Sequence, residues 1–348
     1  MASGASSSPA LPVLSLAAVV VVLLLAVRGE ARPPHPLRGV RPLAFDEGYA
    51  QIFGSSNLAL LRDGRRVRLA LDESTGAGFA SQDLFLHGFF SAAIRLPADY
   101  AAGVVVAFYL SNGDVYEKTH DELDFEFLGN VRGREWRVQT NVYGNGSTHA
   151  GREERYDLPF DPTDDFHHYS ILWTSQRIIF YVDETPIREV VRTAAMGATF
   201  PSKPMSLYAT IWDGSTWATL GGRYRVNYRY APFVAEFADL VIRGCAVDPA
   251  DRDPLSAACE ARAGLESLAV PAERRAAMAA FRRAHTSYSY CHDRRRYPVA
   301  LVECGAGALL PGRTFGPDGM RQHGRRHRAG AGAAARGGRR GGAQDDVM

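Results

Sequence analysis

One stretch constrains the fold more than any other. His120-Asp121-Glu122-Leu123-Asp124-Phe125-Glu126-Phe127-Leu128-Gly129-Asn130 alternates acidic with apolar residues. Alternation with period two predicts a half-buried β-strand. Side chains two apart share a face, so Glu122, Asp124 and Glu126 line one side while Leu123, Phe125 and Phe127 line the other. Such a strand needs a core behind it and an open polar face in front. Like charges on one face repel, so at least one carboxyl is pushed toward its protonated form. An ionised carboxylate beside a protonated one is what glycoside hydrolysis requires. Positions i and i+4 lie roughly 13 Å apart at about 3.3 Å per residue. Two Glu side chains leaning together bring the carboxyls to roughly 5–6 Å, near the ~5–5.5 Å of a retaining pair. The competing interpretations are a solvated acidic edge strand and a calcium site. Asp and Glu are poor strand formers, and their clustering here favours chemistry.

The rest of the sequence supplies the sheets. Gly88 to Leu96, Val104 to Leu110, Trp136 to Tyr143, Tyr169 to Trp173, Ile178 to Val182, Ser206 to Trp212 and Phe237 to Arg243 are rich in β-branched and aromatic residues. Asn112-Gly113, Asn145-Gly146, Asp161-Pro162 and Asp183-Glu184 mark turns between them. Many short strands with few helix patterns predict an all-β sandwich of two antiparallel sheets. One helix is expected from Pro271, a favoured first position, to Ala284, with Met278 and Phe281 on one side.

Compartment follows from the N-terminus and the cysteines. Leu11 to Val27 is a nearly continuous apolar run, followed by Gly29 and Ala31, and reads as a cleaved signal peptide over residues 1–31. It is shorter than the ~20 residues of a membrane span. All four cysteines, Cys245, Cys259, Cys291 and Cys304, lie in the last third. An even count in a secreted chain implies two disulfides. Sequential pairing, Cys245–Cys259 and Cys291–Cys304, closes two short loops and is the expected arrangement. A zinc site lacks the usual C-x-x-C spacing, and nothing points to a metal or organic cofactor. His120 reads as structural. The net charge of +2 hides an asymmetry: from Gly305 onward eight Arg and three Asp give a local +5. The Arg/Gly/Ala-rich tail, 305–348, is expected to be disordered, and nucleic acid is not an expected partner of a secreted chain. Asn145-Gly146-Ser147 is an N-glycosylation acceptor in a turn-like setting.

The motif at 120–130 closely resembles the active-site strand of plant xyloglucan endotransglucosylase/hydrolases, in glycoside hydrolase family 16. The resemblance extends over Gln139-Thr140-Asn141-Val142-Tyr143, Trp173, Phe180 to Asp183, Pro186-Ile187-Arg188, Trp217-Ala218-Thr219 with Gly221-Gly222, and Tyr290 to Pro298. It covers roughly residues 40–304. It implies a concanavalin-like β-jelly-roll (32–244) with a C-terminal extension (245–304), retaining chemistry, and action on xyloglucan donor and acceptor chains in the plant cell wall and apoplast; a monomer is expected. Carried over by position, Glu122 matches the nucleophile, Glu126 the acid/base and Asp124 the carboxylate that orients the nucleophile. Gln139, Thr140, Asn141, Arg152, Glu153, Trp217, Gly221 and Arg296 match sugar-contacting positions. Gly151 and Thr216 stand where many members have Asp. Independently, sugars present apolar ring faces, so Tyr109, Trp212 and Trp217 are stacking candidates, while Trp173 reads as core. Three functions fit: an endotransglucosylase, a hydrolase using the same intermediate, and a lectin-like binding module on the same fold. The segments 130–136 and 144–156 resemble the mainly transferase subgroup, and three carboxylates argue against the binding module.

Overall fold

The computed structural model of the protein describes residues 40–247, 260–261, 263–265, 270–305 and 314–322. One sheet has eight strands in the order β1 (Tyr49–Phe53), β4 (Ala77–Ser81), β13 (Ser206–Asp213), β6 (Val104–Ser111), β7 (Glu122–Leu128), β8 (Arg137–Tyr143), β9 (Glu154–Asp157) and β15 (Thr286–Ser289). The other has seven: β12 (Thr185–Val191), β11 (Arg177–Val182), β10 (His167–Trp173), β5 (Leu84–Arg95), β14 (Phe233–Val247), β3 (Arg66–Leu71) and β2 (Leu58–Leu61). Neighbouring strands pair antiparallel throughout. This is the expected jelly-roll sandwich, and every strand anticipated from the sequence is present.

The acidic motif fixes the sandwich because its apolar half is the middle of the core. Phe125 meets Phe180 edge-on at 5.3 Å and Tyr169 at 5.7 Å, and Phe127 meets Tyr169 at 4.5 Å. These contacts join the two sheets directly behind the carboxylates. Each such aromatic, fully buried, contributes roughly 1.5–3 kcal/mol. Trp173 is core, as expected, with its Nε1 donating to the Pro201 carbonyl at 3.2 Å.

The C-terminal part is integrated more closely than an appended unit. Helix α1 (Ala272–His285) starts one residue after Pro271, which takes the cap position. Phe281 packs against Tyr156 at 5.8 Å. Arg282 enters the body and donates from Nη2 to Glu154 Oε1 at 2.8 Å; Ser289 Oγ donates to the same oxygen at 2.9 Å. The chain then forms β15, the edge of the eight-stranded sheet. Cys291 and Cys304 form the expected disulfide, with Cα atoms 5.3 Å apart; the Cys245–Cys259 bridge lies outside the described residues. So does the signal peptide, and no described helix is long and apolar enough to cross a membrane.

One expectation is corrected. The tail was expected to be disordered from 305 onward, yet residues 314–322 form a hairpin, with bridges Phe315↔Arg321 and Tyr288↔Met320. Its tip is Pro317-Asp318-Gly319, a turn sequence that the low-complexity composition around it obscures.

The Glu154 anchor carries a testable consequence. Burial pushes its carboxyl up, but Arg282 and Arg188 overrule this and hold it at about 2, below the ordinary 4.5. A depressed carboxyl contributes stability that is complete above its unfolded pKa and lost as pH falls through the folded one. Arg282→Ala is expected to cost about 3–5 kcal/mol at neutral pH, because it leaves a buried charge under-compensated. The gap from wild type should narrow as pH falls from about 4.5 toward 2. Denaturant unfolding at several pH values measures both effects; equal stability at pH 7 would remove Arg282 as the anchor.

Candidate active site

β7 lies between β6 and β8 in unbroken register. Glu122 sits opposite Ser111 and Tyr143, Asp124 opposite Tyr109 and Asn141, and Glu126 opposite Ala107 and Gln139. Leu123, Phe125 and Phe127 are fully buried between the sheets, which turns the three carboxylates to the outer face. Glu122 and Glu126 are half-buried and Asp124 is buried.

All three carboxyls are pushed up, first of all by burial. Glu126 reaches about 7; the Gln139 hydrogen bond pulls it back, and the charges of Glu122 and Glu153 add to the rise. Asp124 is raised well above the usual carboxylate range by burial and by Glu122, Glu126 and Glu153. Glu122 rises less, because Ser111 and Asp124 hydrogen-bond to it and His120 lies near. Asp124 hydrogen-bonds to Glu122 and, with Ser111 and His120, opposes the rise that burial imposes on that carboxyl.

Gln139 Nε2 donates to Glu126 Oε2 at 2.5 Å, and Gln139 Oε1 accepts from Arg155 Nε at 2.7 Å. Arg155 thereby fixes which end of the amide faces Glu126. Sequence reasoning missed Arg155. The signal was alternation on β9, where Glu154 and Tyr156 point inward and Arg155 outward. Glu153 pairs with Arg296, Nη1 to Oε2 at 2.5 Å, beside the same face. Asp121 was also missed as a structural hub. It is fully buried and accepts from the backbone N–H groups of Asn145, Ser202 and Lys203 at 2.7–2.9 Å, pinning two loops to the start of β7.

The expected sugar contacts divide. Gln139, Glu153, Arg296, Trp217 and Gly221 are on the carboxylate side. Thr140 is not: it pairs with Phe125 on the inward face, and its Oγ1 accepts from Arg188 at 2.9 Å. Period-two alternation puts 139 and 141 outward and 140 inward. Arg152 is 3% exposed, donating to Glu303 and to Thr199 Oγ1 at 3.1 Å, so it ties the C-terminal segment to the body. Asn141 is buried, its carboxamide oxygen occupied by the N–H groups of Val142 and Arg152. Gly151 contributes its carbonyl to Tyr297, and a Cβ there would meet Glu153 Oε1 at 2.7 Å. Thr216 is exposed on the turn before Gly222, where φ is +82° and a Cβ would strike the Thr216 carbonyl at 2.3 Å. Of the aromatics, Tyr109 stacks on Tyr208 at 5.1 Å beside Asp124, and Trp212 lies 6.0 Å from Trp217. Asn145 is exposed in its turn. Past Glu126, a cavity of about 300 Å³ is lined by Leu128, Arg137, Arg155, Trp217, Gly221 and Met320, among others.

Paired carboxyls on the open face of a β-sandwich, with aromatics and a cavity alongside, define a protein of the glycosidase class. The family models and the curated relatives agree. Residues 45–230 match glycosyl hydrolases family 16, and residues 263–304 match the xyloglucan endo-transglycosylase C-terminus. The chain is 64% identical over 266 residues to "Probable xyloglucan endotransglucosylase/hydrolase protein 28" of Arabidopsis thaliana, covering 75% of this chain and 79% of that one. It is 61% identical over 292 residues to "Probable xyloglucan endotransglucosylase/hydrolase protein 27" of the same plant, covering 82% and 87%. Among solved structures, a prokaryotic beta-1,3-1,4-glucanase (lichenase) derived from a mouse hindgut metagenome matches with TM-score 0.46 and 25% identity, over 57% of this chain and 96% of that one. The chain belongs to glycosyl hydrolase family 16 and, within it, to the xyloglucan endotransglucosylase/hydrolases.

Proposed function

We propose that the protein is a secreted xyloglucan endotransglucosylase of the plant cell wall, working as a monomer by a retaining mechanism. The observation that carries the chemistry is the split of the outward carboxyls: Glu126 is pushed up to about 7, whereas the rise that burial imposes on Glu122 is opposed by Ser111, His120 and Asp124. Glu122 attacks the anomeric carbon of a β-1,4-glucan backbone unit, and Glu126 gives its proton to the departing chain. Glu126, now ionised, takes the proton from the 4-hydroxyl of a second xyloglucan end. That oxygen displaces Glu122 and restores the original configuration. Xyloglucan as donor and acceptor is supported by the names of the relatives. Transfer over hydrolysis is supported by the cavity beyond Glu126, where a sugar acceptor held by Trp217 and Arg155 displaces water. The exposed Asn145 turn fits a glycan-bearing secreted chain.

The test incubates the protein with xyloglucan and a labelled xyloglucan oligosaccharide. Label is expected to enter polymer. New reducing ends without incorporation would make the protein a hydrolase, and binding with neither would make it a lectin-like module.

A further inference from the structure

The hairpin at 314–322 lies outside both matched family regions, 45–230 and 263–304. Four strand pairings connect it to the acid. Glu126 is opposite Gln139, Gln139 opposite Arg155, Arg155 opposite Tyr288, and Tyr288 opposite Met320. Residues directly opposite one another in a ladder share a face. Met320 therefore ends a lateral row that starts at Glu126, roughly 19 Å away at about 4.8 Å per strand. The Arg155 guanidinium lies 4.9 Å over the Tyr288 ring, which confirms the shared face at the middle of the row. Met320 itself is half-buried and lines the same cavity as Arg155 and Trp217.

The hairpin is firmly built. Arg321 N donates to the Ser287 carbonyl at 2.8 Å, and Ser289 N to the Gly319 carbonyl at 3.1 Å. Arg321 Nη1 donates to the Ala284 carbonyl at 2.7 Å, and Phe315 stacks on His292 at 4.2 Å. Gly319 has φ +69°, and a Cβ there would meet the Tyr288 ring at 2.7 Å. These contacts cover part of the β15 edge and place a polarisable thioether at the cavity wall.

Chemistry says which part of the substrate reaches it. In-line displacement puts nucleophile and leaving group on opposite sides of the anomeric carbon, so the leaving sugar lies on the Glu126 side. The cavity adjoins Leu128, two residues past Glu126. The acceptor later occupies the place of the leaving chain.

We propose that the hairpin Phe315–Arg321 extends the acceptor-binding groove, with Met320 as an apolar platform for an acceptor sugar facing Trp217. The inference rests on the proposed function. Its test measures initial transfer rates of the full chain against acceptor oligosaccharide and, separately, against donor xyloglucan. Met320→Ala is expected to raise the acceptor KM about fivefold, the scale of one lost apolar contact, with a much smaller change in donor KM. Gly319→Val, which forces the hairpin off Tyr288, should move the acceptor KM in the same direction and further, with the circular dichroism of the sandwich retained. An acceptor KM unchanged in Met320→Ala, or donor and acceptor KM raised equally, overturns the proposal while the function stands. Absence of transfer by the wild-type protein overturns both.

Discussion

Glu122→Gln is expected to reduce turnover of xyloglucan by at least about a thousandfold, the scale seen when a nucleophile is removed. The side chain keeps its shape but loses the anionic oxygen that forms the glycosyl-enzyme ester. The groove should still bind xyloglucan, because Trp217, Arg155 and the Met320 hairpin are untouched. The substitution has a second consequence. Glu122 is one of the charges that raise Glu126 and Asp124. Without it both carboxyls should titrate lower, measurable by NMR on the inactive variant. Near-wild-type turnover would move the nucleophile elsewhere on β7, with Asp124 the remaining carboxyl beside Glu126. Turnover lost together with xyloglucan binding would show that Glu122 holds the groove together rather than attacking.

The half of the architecture that surrounds the carboxylates was legible because its strands satisfy two demands at once. The Glu122–Phe127 alternation needs both a core and an open face. Val104–Ser111 and Gly88–Arg95 are apolar enough to be read as strands without knowing their partners. The strands that escaped are of another kind. Ala77–Ser81 is Ala-Gly-Phe-Ala-Ser, with little β-propensity, and Arg66–Leu71 alternates Arg with apolar residues in a pattern short enough to be a loop. Thr286–Ser289 continues directly from a helix, and only pairing with β9 makes it a strand. The same limit applies to the site. Parity along β7 and β8 gives the facing of Glu122, Glu126 and Gln139, and applied to Thr140 it gives the inward facing that resemblance alone obscured. Arg152 cannot be assigned by parity, since its partners Glu303 and Thr199 come from distant segments. The Pro317-Asp318-Gly319 turn was readable locally, but its function depends on Tyr288 and on a row of pairings that no local pattern reports.

The acid/base makes the last and most discriminating prediction. Glu126→Ala should slow cleavage of natural xyloglucan by about 10²–10⁴-fold, the usual contribution of a positioned acid/base. A donor with a good leaving group needs no proton, so its first step should be largely spared. Azide needs no base and attacks the anomeric carbon of the intermediate, displacing the Glu122 carboxylate to give a β-glycosyl azide. The pH profile is expected to change as well. In the wild-type protein Glu122 must be ionised and Glu126 protonated, so kcat/KM should rise above the raised Glu122 pKa and fall through about 7. The sign for stability is the same on the alkaline side. Glu126 is raised above its ordinary 4.5, so its contribution to folding is complete below that value and lost as pH rises through about 7. Glu126→Ala should remove both effects, flattening the alkaline limb of activity on the activated donor and the stability decline between about 4.5 and 7. Burial is the first cause of the raised pKa and Glu122 charge a further one, whereas the neutral Asp124 adds nothing to it. Conversion of Glu122 to an ester therefore removes only the charge contribution, and the Glu126 pKa should fall in the intermediate without returning to its ordinary value. Equal loss on both donors with no effect of azide would take the acid/base role from Glu126. An azide product of inverted configuration would overturn the retaining mechanism itself.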